Sequence, residues 1–108
     1  MLKKFLICAC LALLCAGAWA KTVVIDVRTP EEYAVGHLAG AINIDQQVIA
    51  QRIASAGISK DDELILYCNT GRRAGIARTT LMAMGFKRVA NFGGMEEARW
   101  KLLEKLNG

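Results

Sequence analysis

Two short apolar runs constrain the fold more than anything else in the chain: Thr22-Val23-Val24-Ile25-Asp26-Val27 and Leu64-Ile65-Leu66-Tyr67. Both are nearly continuous rather than alternating, so each predicts a strand buried on both faces. Such strands need helices on either side, and the intervening sequence supplies them. Thr29-Pro30-Glu31-Glu32 spells a helix start, with Thr29 as N-cap, Pro30 at the first helical position and Glu32 completing a capping box. That helix is short and stops at Gly36. Ala41-Ile42-Asn43-Ile44 predicts a second, shorter strand. Asp45 caps a helix over Gln46 to Ala56, which carries Val48, Ile49 and Ile53 on one face and ends at Gly57. The strand from Glu63 to Tyr67 leads into a helix from about Arg73 to Met84, with Ile76, Ala77, Thr80, Leu81 and Met84 at helical spacing. Arg88-Val89-Ala90-Asn91 reads as a last strand, turned by Gly93-Gly94. Met95, Ala98, Leu102, Leu103 and Leu106 mark one face of a terminal helix, and Trp100 is expected to pack from it. Alternating strands and helices predict an α/β sandwich around a mostly parallel sheet, with ligands at the carboxyl ends of the strands.

Three of the four cysteines, Cys8, Cys10 and Cys15, lie in a segment with the three parts of a secretory signal. Lys3 and Lys4 form the basic region, Phe5 to Cys15 the apolar region, and Ala18-Trp19-Ala20 the small-x-small cleavage site. Residues 1–20 are therefore expected to be a cleaved signal peptide and residues 21–108 a single domain, exported to the periplasm, with no stable membrane insertion after cleavage. A retained anchor ranks second, because the apolar run is shorter than the roughly 20 residues that span a bilayer. A lipoprotein fits less well: Leu14 precedes Cys15 where a small residue is expected, and Cys10 leaves too short an apolar region. Removing Lys3 and Lys4 takes the formal charge from +4 to +2, too mild a balance to suggest nucleic acid. No low-complexity run, repeat or linker argues for a second domain, and nothing in the residues demands an oligomer.

Cys68 then stands as the one cysteine of the mature chain, so no intramolecular disulfide is possible. A lone cysteine is by default a buried, inert one. Its setting argues otherwise. Cys68-Asn69-Thr70-Gly71-Arg72-Arg73 links the end of a strand to the start of a helix, where backbone N–H groups converge and stabilise an anion. Arg72 and Arg73 add positive charge. No His/Cys/Asp/Glu cluster has metal-ligand spacing, and no cofactor is implied. His37, the only histidine, admits a Cys–His pair in principle.

Taken together, these segments resemble a known family. Ile25-Asp26-Val27-Arg28, Pro30-Glu31-Glu32-Tyr33 and Gly36-His37-Leu38-Ala39-Gly40-Ala41-Ile42-Asn43-Ile44 resemble the N-terminal signature of rhodanese domains. Tyr67-Cys68-Asn69-Thr70-Gly71-Arg72-Arg73-Ala74-Gly75 resembles their active-site loop, and Phe92-Gly93-Gly94-Met95 the turn before their last helix. The resemblance covers residues 22–106 in order, and the signal segment makes the single-domain periplasmic thiosulfate sulfurtransferases of the phage-shock group the most similar. It implies a three-layer α/β/α sandwich. The family usually carries a strand and helix before the Asp-Val-Arg strand, so the sheet is expected to have about four to five strands and one lightly covered edge.

The resemblance also implies a reaction. The Cys68 thiolate takes the sulfane sulfur of thiosulfate, becomes a persulfide and passes the sulfur to a thiophilic acceptor, cyanide or a thiol. Asn69, Thr70, Gly71, Arg72 and Arg73 form the active-site loop. Arg73 closes it and is expected to attract dianionic thiosulfate; Arg72 either does the same or faces solvent. Asp26 is read as a structural hydrogen-bonding residue near the site, Arg28 as part of the same polar cluster, and His37 as part of a structural turn. Gly71, Gly75, Gly93 and Gly94 are read as backbone devices. The loop of the family's phosphatase and arsenate-reductase relatives is one residue longer, which would put arginine at position 74, where Ala74 stands. Two other classes stay open: a non-catalytic binding module, whose family members usually lack the cysteine, and a redox sensor in the cell envelope, which would usually have a resolving cysteine.

Overall fold

A computed structural model describes residues 20–108, so the expected signal peptide lies, apart from Ala20, outside the described residues. Four strands form one sheet in the order β2-β1-β3-β4: β1 is Thr22–Asp26, β2 Ile42–Asn43, β3 Glu63–Cys68 and β4 Arg88–Gly94. Every pairing is parallel. The apolar runs read from the sequence are the two central strands, Val24 opposite Ile65 and Ile25 opposite Leu66. That placement explains their composition, since a central parallel strand is covered on both faces.

Alternate residues of β1, β3 and β4 feed two cores. Ile25, Leu64, Leu66, Cys68 and Val89 face one way and pack against Ile49 and Ile53 and against Ala74, Ala77 and Leu81 of helix α3, Arg72–Ala83. Tyr67 faces the other way with Leu38, Ala41 and Ala98, the last from the terminal helix α4, Met95–Asn107. Helix α1, Pro30–Val35, begins with the capping box read from the sequence: Thr29 and Glu32 bond to each other's backbone N–H.

Three details depart from expectation. The helix over Gln46 to Ala56 is a composite: a 3₁₀ turn at Gln46–Val48, one α-turn at Ile49–Arg52 (α2) and a second 3₁₀ turn at Ile53–Ala56. Val48, Ile49 and Ile53 are β-branched and weak helix formers; burial of Ile49 and Ile53 holds the segment instead. Trp100 does not pack: it is 65% exposed. The inward stripe of α4 is Met95, Ala98 and Leu102, and a residue two on from Ala98 lies about 200° round the helix. Ile76 is likewise turned outward, because α3 buries Ala74, Ala77 and Leu81.

Candidate active site

Strand β3 delivers Cys68 at its carboxyl end, and α3 begins four residues later. Two features bend the chain between them. Gly71 lies at φ +91°, in the left-handed region, and serves as N-cap of α3. The pairing of β3 with β4 also slips there: Leu66 to Cys68 on one strand matches Asn91 to Gly94 on the other. The slip brings Gly94 against the loop, so close that a Cβ on Gly94 would overlap the carbonyl oxygen of Asn69. Gly94→Ala is therefore expected to displace the loop, costing about 1–3 kcal/mol of stability and slowing Cys68 alkylation. A thermal melt and an alkylation rate check it; wild-type values for both would show that the close approach is dispensable. Gly75 has neither constraint, meeting only Asn91 Nδ2 at 3.5 Å.

The Cys68 side chain is 1% exposed. Burial pushes the thiol up, but the backbone amides of Ala74, Thr70, Gly71 and Arg73 pull it down by more, and the net shift is below its ordinary value of 9.0. Gly71 N–H donates to Sγ at 3.0 Å. A cradle of amides around sulfur is the environment that makes a thiolate. Asn91 on β4 braces the loop from outside: its Nδ2 donates to Gly71 O at 2.8 Å and its Oδ1 accepts from Gly93 N at 2.8 Å. A cavity of 390 Å³ opens beside the loop, lined by Asn69, Thr70, Gly94, Met95, Glu96 and Glu97.

Asp26 and Arg28 form the floor of the site. The Asp26 carboxylate is wholly buried and accepts from Arg28 N at 2.9 Å, from Arg28 Nε at 3.0 Å and from Arg28 Nη2 at 2.7 Å. Arg28 Nη2 also donates to Gly36 O at 2.7 Å, and Nη1 to Asn69 Oδ1 at 3.3 Å. The hydrogen bond to Asp26 raises the Arg28 pKa despite burial. This pair thus ties the end of β1 to α1 and to the first loop residue after Cys68. Tyr67 lies beneath it with Arg28 over its ring at 5.9 Å; burial pushes the phenol up to about 12, and its oxygen accepts from Leu38 N at 3.0 Å.

The loop arginines differ in placement. Arg73 makes a two-pronged ion pair with Glu32, Nη1 to Oε1 at 2.7 Å and Nη2 to Oε2 at 3.0 Å. The guanidinium expected to await a dianion is already engaged by a carboxylate. Sequence reading placed Glu32 only in the capping box, since Arg73 is 41 residues away. Arg72 is exposed. His37 stacks on Tyr33, ring centroids 3.6 Å apart, and its Nδ1 lies 2.9 Å from Tyr33 O, which makes it part of the turn after α1. Among the described residues, no group of three or more His, Cys, Asp and Glu side chains could hold a metal ion.

A model of the rhodanese-like domain matches residues 11–100. The chain belongs to the rhodanese-like domain family. The thiosulfate sulfurtransferase PspE of Escherichia coli (strain K12) is 45% identical over 73 residues, covering 68% of this chain and 70% of PspE. The thiosulfate sulfurtransferase GlpE of Pseudomonas entomophila (strain L48) is 34% identical over 84 residues, covering 78% of this chain and 72% of GlpE. A solved structure of an E. coli rhodanese with anions superposes with a TM-score of 0.67 at 43% identity, covering 70% of this chain and 89% of that one. The four-stranded parallel sheet is thus a small rhodanese sheet, and the Cys68 loop occupies the switch from strand to helix in it.

Proposed function

We propose that this rhodanese-like domain is a thiosulfate sulfurtransferase that carries the transferred sulfur as a persulfide of Cys68. The observation that carries the reading is the amide cradle: Gly71 N–H at 3.0 Å from Sγ, with the amides of Thr70, Arg73 and Ala74 also lowering the thiol's pKa. The names of the two sulfurtransferase relatives support the class of reaction and the donor. In the first step the Cys68 thiolate attacks the outer sulfur of thiosulfate. A bond forms between Sγ and that sulfur, the bond to the central sulfur breaks, and sulfite leaves with the electron pair. In the second, the carbon of cyanide or the sulfur of a thiol attacks the terminal sulfur, and the Cys68 thiolate departs. Charge is conserved at each step, and no external oxidant or reductant is required. The cradle serves the thiolate and the persulfide alike, since both carry negative sulfur. Export to the periplasm is part of the same proposal and rests on Lys3, Lys4, the run Phe5 to Cys15 and Ala18-Trp19-Ala20.

Incubation with thiosulfate is expected to add about 32 Da, one sulfur atom, to the Cys68 peptide, and cyanide to remove it as thiocyanate. The rate of labelling should rise with pH to a plateau whose midpoint lies below the 9.0 of an ordinary thiol. Thiocyanate production with Cys68 never gaining mass would refute the persulfide route.

A further inference from the structure

Glu32 has a local task at the start of α1, where its Oε1 accepts from Thr29 N at 3.1 Å. A capping box asks no more of it than that. The same carboxylate also accepts from Arg73 at 2.7 and 3.0 Å and, through Oε2, from Asn69 Nδ2 at 2.7 Å. Asn69 and Arg73 are the first and last loop residues after Cys68. They lie 37 and 41 positions from Glu32, so no local geometry brings them there.

We propose that Glu32 is a positioning residue for the Cys68 loop, one carboxylate clamping Asn69 at one end and Arg73 at the other so that the loop amides stay converged on Sγ. The inference rests on Cys68 acting as a thiolate, as in the proposed function, but not on sulfur transfer. The loop needs such a clamp. Asn69 and Thr70 are exposed, and Gly71 is the residue of greatest backbone freedom. Asn91 holds only the middle, at Gly71 O, and Arg28 Nη1 reaches Asn69 Oδ1 at 3.3 Å, longer than the 2.7 Å bond from Asn69 to Glu32. A hydrogen bond to sulfur weakens steeply as its donor swings out of line. Small displacements at both ends therefore cost the thiolate several amides at once.

The charges around the loop make the sign of the effect diagnostic. Arg73 is the cation beside Cys68, and Glu32 offsets it from α1. Asp26 and Arg28 neutralise each other at the end of β1 and just beyond it, and Asp45, after β2, also acts on Arg73. Glu96 and Glu97 of α4 are paired with Arg99 and Lys101. Were Glu32 to act by charge alone, neutralising it would leave Arg73 uncompensated and lower the Cys68 pKa. Loss of a clamp raises it.

The test measures alkylation of Cys68 by iodoacetamide against pH in the full chain, read on the Cys68 peptide by mass spectrometry so that Cys8, Cys10 and Cys15 do not contribute. Glu32→Gln keeps an acceptor for Thr29 N, because Gln serves in capping boxes as Glu does, but removes the charged acceptor of Asn69 and Arg73. Its midpoint is expected to rise by about 0.5–1 pH unit, roughly a 3- to 10-fold loss of thiolate below the midpoint. Thr29→Ala removes the hydroxyl that caps Glu32 N and donates to Glu32 Oε1 at 3.1 Å but leaves the carboxylate's contacts to Asn69 and Arg73, so it should lower the melting temperature and move the midpoint by less than Glu32→Gln does. Asn69→Ala leaves the box intact but removes the Asn69 contacts to Glu32 and to Arg28 Nη1 together, and should give a smaller rise; absence of that rise counts against the clamp even if Glu32→Gln does not fold. An absent or downward shift in Glu32→Gln, an equal rise in Thr29→Ala, or no rise in Asn69→Ala overturns the proposal. Alkylation needs only a thiolate, so these outcomes are separate from any failure of sulfur transfer.

Discussion

Cys68→Ser is expected to abolish the thiosulfate-dependent mass gain and to lower thiosulfate:cyanide sulfur transfer by roughly 10³-fold or more, while the protein stays folded. A serine hydroxyl does not ionise near neutral pH, and oxygen cannot hold the sulfane sulfur as a persulfide. The fold should tolerate the change because the site is built from backbone. Gly71 N–H, which donates to Sγ at 3.0 Å, can donate to a hydroxyl oxygen, and the volume falls only slightly. Circular dichroism and melting establish the fold, and a thiocyanate assay reads the rate. Turnover that survives the substitution would move the chemistry to another residue and sink the proposed function.

Arg28→Ala is expected to have the largest effect on stability, about 3–5 kcal/mol. The Asp26 side chain is 0% exposed and Arg28 is its salt-bridge partner at 2.7 Å. Without the guanidinium, the buried carboxylate loses its counter-charge, and Gly36 O and Asn69 Oδ1 lose a donor. Asp26→Asn should also destabilise, because it leaves the buried Arg28 guanidinium without its counter-charge and turns one of the two accepting oxygens into an amide donor. Urea unfolding of both variants measures the difference. A loss below about 1 kcal/mol in Arg28→Ala would mean that water replaces the guanidinium freely. Thiocyanate assays on the surviving fold should also slow, since Arg28 holds the loop at Asn69.

Much of this site is legible in the order of residues. The central strands, the capping box at Thr29 and Glu32, the loop from Cys68 to Arg73 and the helix behind it all announce themselves by local pattern, because each is decided by neighbours a few positions apart. Asp26 and Arg28 are two residues apart and were readable as one polar cluster for the same reason. Trp100 was not legible: apolar character marks a residue as able to pack, but the angle round α4 decides whether it does, and Ala98 and Leu102 take the inward side. The helix over residues 46–56 reads as continuous from spacing, yet its turns are set by Ile49 and Ile53 reaching the sheet.

The Cys68 loop, its length and its place between an apolar strand and a helix were determined by sequence alone, since a strand end, a glycine and a helix start are local properties of the chain. What holds that loop was decided only by tertiary structure. Glu32 meets Arg73 and Asn69, and Asn91 meets Gly71, across 41, 37 and 20 residues respectively. A carboxylate in a capping box carries no mark of a distant partner. Parallel pairing of β1, β3 and β4 brings α1, the loop and the slipped end of β4 together at the carboxyl end of the sheet, and only there does the arginine expected to await substrate find its carboxylate.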